Sequence, residues 1–174
     1  MVLNHTTNLK RAFAALAAGA AVGAVVTNAD LLVIGVLYAG EPGGLHSQHI
    51  PILFSMFFLA FYIWGAGLVV VGAPMWWLLH KKGLRSWWVA VLSGAIAAFV
   101  GGFAMNLAVT LRIEHSSFSD SGGYTMIDGE LTAYGWQELF LGAVEIGVIG
   151  AIVAAVIWRI AYRRVDRPAQ ETPL

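Results

Sequence analysis

The sequence predicts an all-α polytopic membrane protein, a bundle of four transmembrane helices with both termini cytoplasmic and a small β-hairpin in the second periplasmic loop. Three observations predict it. Of the 174 residues, 59% are hydrophobic and 11% charged, where an ordinary soluble domain carries about 25% charged residues. The apolar residues also fall into blocks of bilayer length. Residues 12–38 hold Asp30 as their only charge, 50–79 and 86–111 hold none, and 139–158 hold only Glu145. A helix covers the hydrocarbon core with about 20 apolar residues. The third observation is charge segregation. Nine of the ten basic residues lie at the N-terminus, between the second and third blocks, or at the C-terminus. Four crossings put those three regions on one side, which the positive-inside bias makes cytoplasmic. The other side receives Glu41, Glu114, Asp120, Asp128 and Glu130.

The first helix is expected over about 12–38. Ala15, Gly19 and Gly23 recur every four residues on one face, a spacing that lets two backbones approach closely in lipid. The competing reading is a cleaved signal peptide, since KRAFAALAAGAAVGAVVTNA has a basic start, an apolar middle and small residues before Asp30. Cleavage there would leave three helices. The apolar run resumes at once in LLVIGVLYAG, which favours one continuous helix. The turn EPGGLHSQHIP leads to a second helix over about 51–79, with Pro51 suited to its first turn. Pro74 should bend that helix or end its regular part. Trp76, Trp77, Trp87 and Trp88 flank the basic loop HKKGLRS as interfacial anchors.

The third helix, about 87–111, carries Gly94, Ala98 and Gly102 at four-residue spacing, with Ser93, Ala97 and Gly101 beside them. The periplasmic loop, 112–135, opens with the flexible SSFSDSGG. It continues as YTMIDGELTAYG, where Asp-Gly between two strand-like runs signals a two-residue hairpin. The fourth helix, about 136–160, carries Ala143, Gly147, Ala151 and Ala155. The tail 166–174 reads as disordered and cytoplasmic. Residues 1–165 are thus expected to form one transmembrane domain, packed through Gly19, Gly23, Gly94, Gly102 and Gly147.

Glu145 is the residue that needs an explanation. Placed near mid-membrane, a charge costs about 2.5–3.5 kcal/mol, so the carboxyl takes a proton or a partner. Glu138 lies two turns earlier, and Asn28, Asp30, Asn106 and Arg112 fall in the outer halves of other helices, with Thr27, Ser55, Tyr62 and Thr110. These groups are expected to converge on a polar layer inside the bundle. Outside the membrane, His46, His49, Glu114 and His115 are a candidate Zn or Cu(II) set, because imidazole and carboxylate suit both ions. The absence of cysteine excludes disulfide and thiolate chemistry. No histidine sits deep in a helix, which disfavours membrane haem and leaves the serine of LSGA, residues 92–95, without a base. No phosphate-binding glycine loop follows a strand, no cofactor is expected, and the short basic segments fit orientation better than nucleic acid.

The run GAPMWWLLHKKGLRSWWVAVLSGAIAAFVGG, residues 72–102, resembles a pattern of small uncharacterised four-helix inner-membrane proteins of Gram-negative bacteria. There a Gly-x-Pro helix end, a basic glycine loop and a Trp pair lead into a glycine-spaced helix. The resemblance implies the membrane location and carries no activity. Small multidrug transporters differ, with their essential acid in the first helix and slight loops. The expected function is an accessory or scaffolding subunit that binds a larger membrane-protein partner or a second copy of itself in the lipid bilayer. The alternative is a small transporter or channel-like protein working through Asp30 and Glu145, and an enzyme comes third.

Overall fold

The computed structural model describes residues 5–6, 9–37, 50–112, 118–120 and 122–164. It is mostly helical, and among the described residues four helices are long and apolar enough to cross a membrane: Leu9–Thr27, Pro51–Lys81, Trp87–Thr110 and Ala133–Ala161. Their large apolar side chains point outward, Val70 being 72% and Phe54 60% exposed. Water would penalise each such side chain by about 1.5–3 kcal/mol relative to burial, whereas lipid tails do not. These are the marks of a multi-pass membrane protein. The tail 166–174 and the loop histidines at 46, 49 and 115 lie outside the described residues.

By backbone proximity the chain forms two compact units, Met1–Trp87 with Ala155–Leu174, and Trp88–Ala154. The first unit opens with a short strand β1 (His5–Thr6), followed by α1 (Leu9–Thr27) and α2 (Ala29–Leu37). A single helix over 12–38 was expected, and the interruption falls on Asn28. Its side-chain amide donates to the Ala24 carbonyl at 2.8 Å, and its own N–H reaches the same oxygen at a long 3.3 Å. An Asn side chain competing for the i−4 carbonyl loosens the helical ladder there. The ladder resumes when Leu32 N–H reaches Asn28 O at 3.1 Å.

The second span is α3 (Ile50–Gly67), a π turn (Leu68–Gly72) and α4 (Ala73–Lys81). Pro74 explains the π turn. A proline lacks the N–H that would reach the carbonyl four residues back and crowds that carbonyl. Widening the turn just before it, with Ala73 N–H bonded to Leu68 O, removes the conflict without ending the span. What ends α4 is Gly83, at φ 73°. Its N–H reaches His80 O at 3.1 Å and the next N–H, of Leu84, reaches Leu79 O at 2.9 Å. This is a Schellman closure, which requires the left-handed residue that glycine supplies cheaply.

Within this unit α1 runs antiparallel to α3 along a face of Ala15, Gly19, Ala20, Gly23 and Ala24, all buried. A Cβ on Gly23 would lie 2.6 Å from the Trp64 indole, and one on Gly19 2.7 Å from the Ile157 side chain. Trp64 Nε1 also donates to Thr27 Oγ1 at 2.9 Å. At the start of α1, Ala15 is buried with Ala161 and Tyr162, against Trp76, Ile157 and Trp158. Strand β1 pairs antiparallel with β5 (Arg163–Arg164), His5 opposite Arg164. The unit thus brings the beginning of its first helix and the end of its last to one place.

The second unit is built from residues 88–110 of α5 (Trp87–Thr110), a three-stranded sheet and residues 133–154 of α6 (Ala133–Ala161). Gly94 and Gly150 bring the two helices almost backbone to backbone. A Cβ on Gly150 would collide with Ala98 Cβ and lie 2.7 Å from the Gly94 carbonyl oxygen. Farther along, Gly102 meets Ile146 and Gly147 meets Phe99, so the helices are antiparallel. The sheet holds β2 (Phe118–Asp120), β3 (Gly123–Ile127) and β4 (Glu130–Leu131). The expected Asp-Gly hairpin is present: Ile127 pairs with Glu130 across Asp128 and Gly129, whose φ values are 50° and 83°. Two successive positive φ values make the type I′ turn that matches strand twist. Thr132 then joins sheet to helix. Its hydroxyl oxygen accepts Gly135 N–H at 3.0 Å as the N-cap of α6 and donates to the Tyr124 carbonyl.

Candidate functional site

Helix α6 has two faces at helical spacing. Leu139, Ala143, Gly147, Gly150 and Val153 are buried, while Glu138, Phe140, Leu141, Val144, Glu145, Val148 and Ile152 are exposed. Within that broad exposed face, Glu138, Leu141, Glu145, Val148 and Ile152 follow one another in alternating steps of three and four residues, the seam spacing of a helix that packs against another. Glu145 sits two residues short of the middle of α6. Among the described residues no hydrogen bond or ion pair reaches its carboxyl. Beside it, between α5 and α6, runs an open apolar groove of about 410 Å³ bordered by Ile96, Phe99, Val144, Val148 and Ile152.

The other expected polar residues are distributed as follows. Asn28 is half-buried and its amide is spent on Ala24 O. Asp30, in the first turn of α2, is exposed. Asn106, Arg112, Glu138 and Glu145 are all exposed in the second unit. Asn106 lies one turn past Gly102, which meets Ile146, so it falls at a depth between Glu138 and Glu145. The exposed polar side chains of this unit therefore gather in the half that carries the hairpin. Ser55 and Ser93 turn inward on their own helices, donating to Pro51 O at 2.8 Å and Ala90 O at 2.9 Å. Tyr62 is exposed.

Histidine, tyrosine and tryptophan meet at one end of the first unit. His80 Nδ1 lies 3.1 Å from Tyr162 Oη, the tautomer deciding which one donates, and the two rings stack at 6.1 Å. Trp76 and Trp158 pack on Tyr162 at 6.3 and 6.0 Å. Trp158 Nε1 donates to the Arg85 carbonyl at 3.1 Å and so fastens the loop after α4. Burial raises the Tyr162 phenol above its usual range, because a phenolate would lose its hydration there. The Trp76 indole and the Arg85 charge pull it the other way, by less. His80 and Tyr162 are 82 positions apart, and no spacing in the sequence announces their meeting. Gly150 left a fainter trace, since following small residues only in steps of four from Ala143 passes over it.

The metal set of His46, His49, Glu114 and His115 lies outside the described residues. Among the described residues, no three His, Asp or Glu side chains gather as a metal site. Comparison of the chain with protein-family models, curated proteins and solved structures finds no match.

Proposed function

We propose that the chain is a partner-binding subunit of an assembly in a bacterial inner membrane, with both termini in the cytoplasm. The observation that carries the reading is the exposed Glu145 at mid-helix on the seam-spaced face of α6. Acyl chains offer no hydrogen bond, and a charge at that depth costs about 2.5–3.5 kcal/mol. A second transmembrane helix that brings an amide, hydroxyl or basic group to the same depth removes that cost. It also covers Leu141, Val148 and Ile152. The orientation draws support from the β1–β5 pairing and from the basic residues near that end.

Replacement of Glu145 tests the assignment. Extracted in mild detergent, the native chain and Glu145→Gln are expected to retain a stoichiometric membrane partner, because Gln still hydrogen-bonds. Glu145→Leu is expected to lose it while remaining folded. Equal retention by Glu145→Leu overturns the reading. A second reading, a small transporter, rests on the same acid together with Asp30. It expects cation flux in vesicles of the purified chain, abolished by Glu145→Gln, with no partner required.

A further inference from the structure

Nine of the ten basic residues belong to the first unit, and eight of them fall among its described residues. Lys10 and Arg11 open α1, Lys81 and Lys82 close α4, Arg85 follows, and Arg159 lies in the last turn of α6. The start of α1 and the end of α6 share the Ala15–Ala161–Tyr162 core with Trp76. The end of α4 is held to them by the His80–Tyr162 and Trp158–Arg85 hydrogen bonds. Strand β5, Arg163–Arg164, pairs with β1 at the same end. Four basic positions from three helices, two from the turn and loop after α4 and two from a strand thus lie at the end that holds one aromatic cluster.

Among the described residues of this unit the one acid is Asp30, about 30 Å along the helical path from Lys10 at 1.5 Å per residue. Lys10, Lys82 and Arg159 are exposed and make no ion pair among the described residues. The Lys81 ammonium lies over the Trp77 ring, 5.2 Å from its centroid, a cation–π contact. The Schellman turn at Gly83 fixes the path of the chain between Lys82 and Arg85.

We propose that this end of the first unit binds the phosphate head group of an anionic phospholipid. Tryptophans favour the head-group level of a bilayer, and Trp76, Trp77 and Trp158 set the basic positions at that level. Basic clusters next to membrane-crossing helices attract anionic lipid by about 1 kcal/mol per charge. The lipid, unlike a free phosphate, is held at that depth by its own acyl chains. The proposal does not depend on the partner-binding reading.

Titration of the purified full chain in mild detergent with short-chain phosphatidylglycerol and phosphatidylcholine, followed by native mass spectrometry, tests it. Phosphatidylglycerol is expected to bind at least tenfold more tightly. The triple variant Lys10→Gln, Lys82→Gln, Arg159→Gln is expected to weaken it about a hundredfold. Lys10→Arg, Lys82→Arg, Arg159→Lys, which keeps the charges, should restore it. Equal affinity for the two lipids overturns the proposal. Displacement of phosphatidylglycerol by an equal concentration of inorganic phosphate overturns it too, and would make the site one for the free anion. Should the neutral variant not fold, salt decides: the native chain must lose phosphatidylglycerol affinity as ionic strength rises, and an unchanged affinity overturns the proposal.

Discussion

Gly150 and Gly101 lie on membrane-length helices of the second unit and differ in what surrounds them. A Cβ on Gly150 would strike Ala98 and the Gly94 carbonyl, whereas one on Gly101 would meet nothing within 4 Å. Backbone is the obstacle at Gly150, and backbone does not step aside as a side-chain tip does. Gly150→Val is therefore expected to destabilise the folded chain by about 3 kcal/mol, at the upper end of overpacking costs. Gly101→Ala should stay within about 0.5 kcal/mol of the parent. Unfolding in a graded denaturing-detergent series measures both, and a Gly150→Val chain as stable as the parent would refute the close helix crossing. Glu145 is legible at the same scale. A lone acid in an apolar run announces itself in any sequence, but which side of α6 it occupies depends on which neighbours are buried.

Among the elements, α6 shows how a loop, a sheet and a helix depend on one side chain. The Thr132 hydroxyl satisfies the Gly135 N–H and the Tyr124 carbonyl together. Thr132→Ala is expected to cost about 1 kcal/mol through the lost cap, and the damage should concentrate in the hairpin. Amide hydrogen exchange of residues 123–131 is expected to accelerate more than that of 145–155, and unchanged exchange in the hairpin would rule out the coupling. The hairpin itself was readable, because Asp-Gly supplies two left-handed residues that few other pairs adopt. The interruption at Asn28 and the π turn before Pro74 were half readable. The residues responsible stand in plain view, but a competing side-chain bond or a widened turn is one of several ways a helix accommodates them.

For the whole molecule, the proposed orientation is open to a direct check, since the chain contains no cysteine. Single substitutions Lys82→Cys and Arg159→Cys are expected to react with an impermeant maleimide from the cytoplasmic side. Asp128→Cys should react from the other side. Labelling of all three from one side would defeat the four-crossing topology. The sequence by itself determined which segments are long and apolar enough to cross a membrane, because transfer of a helix into hydrocarbon sums over some 20 local residues and needs no knowledge of its neighbours. It also determined the hairpin turn, a matter of two adjacent backbone angles. Only the tertiary structure decided which face of α6 is covered and which leaves Glu145 exposed. Only it brought Lys10, Lys82 and Arg159 to the end that holds the His80–Tyr162 pair. Those outcomes turn on which small residues meet across helices, and in a chain rich in Ala, Gly and Val many registers present nearly the same surface until the close contacts select one.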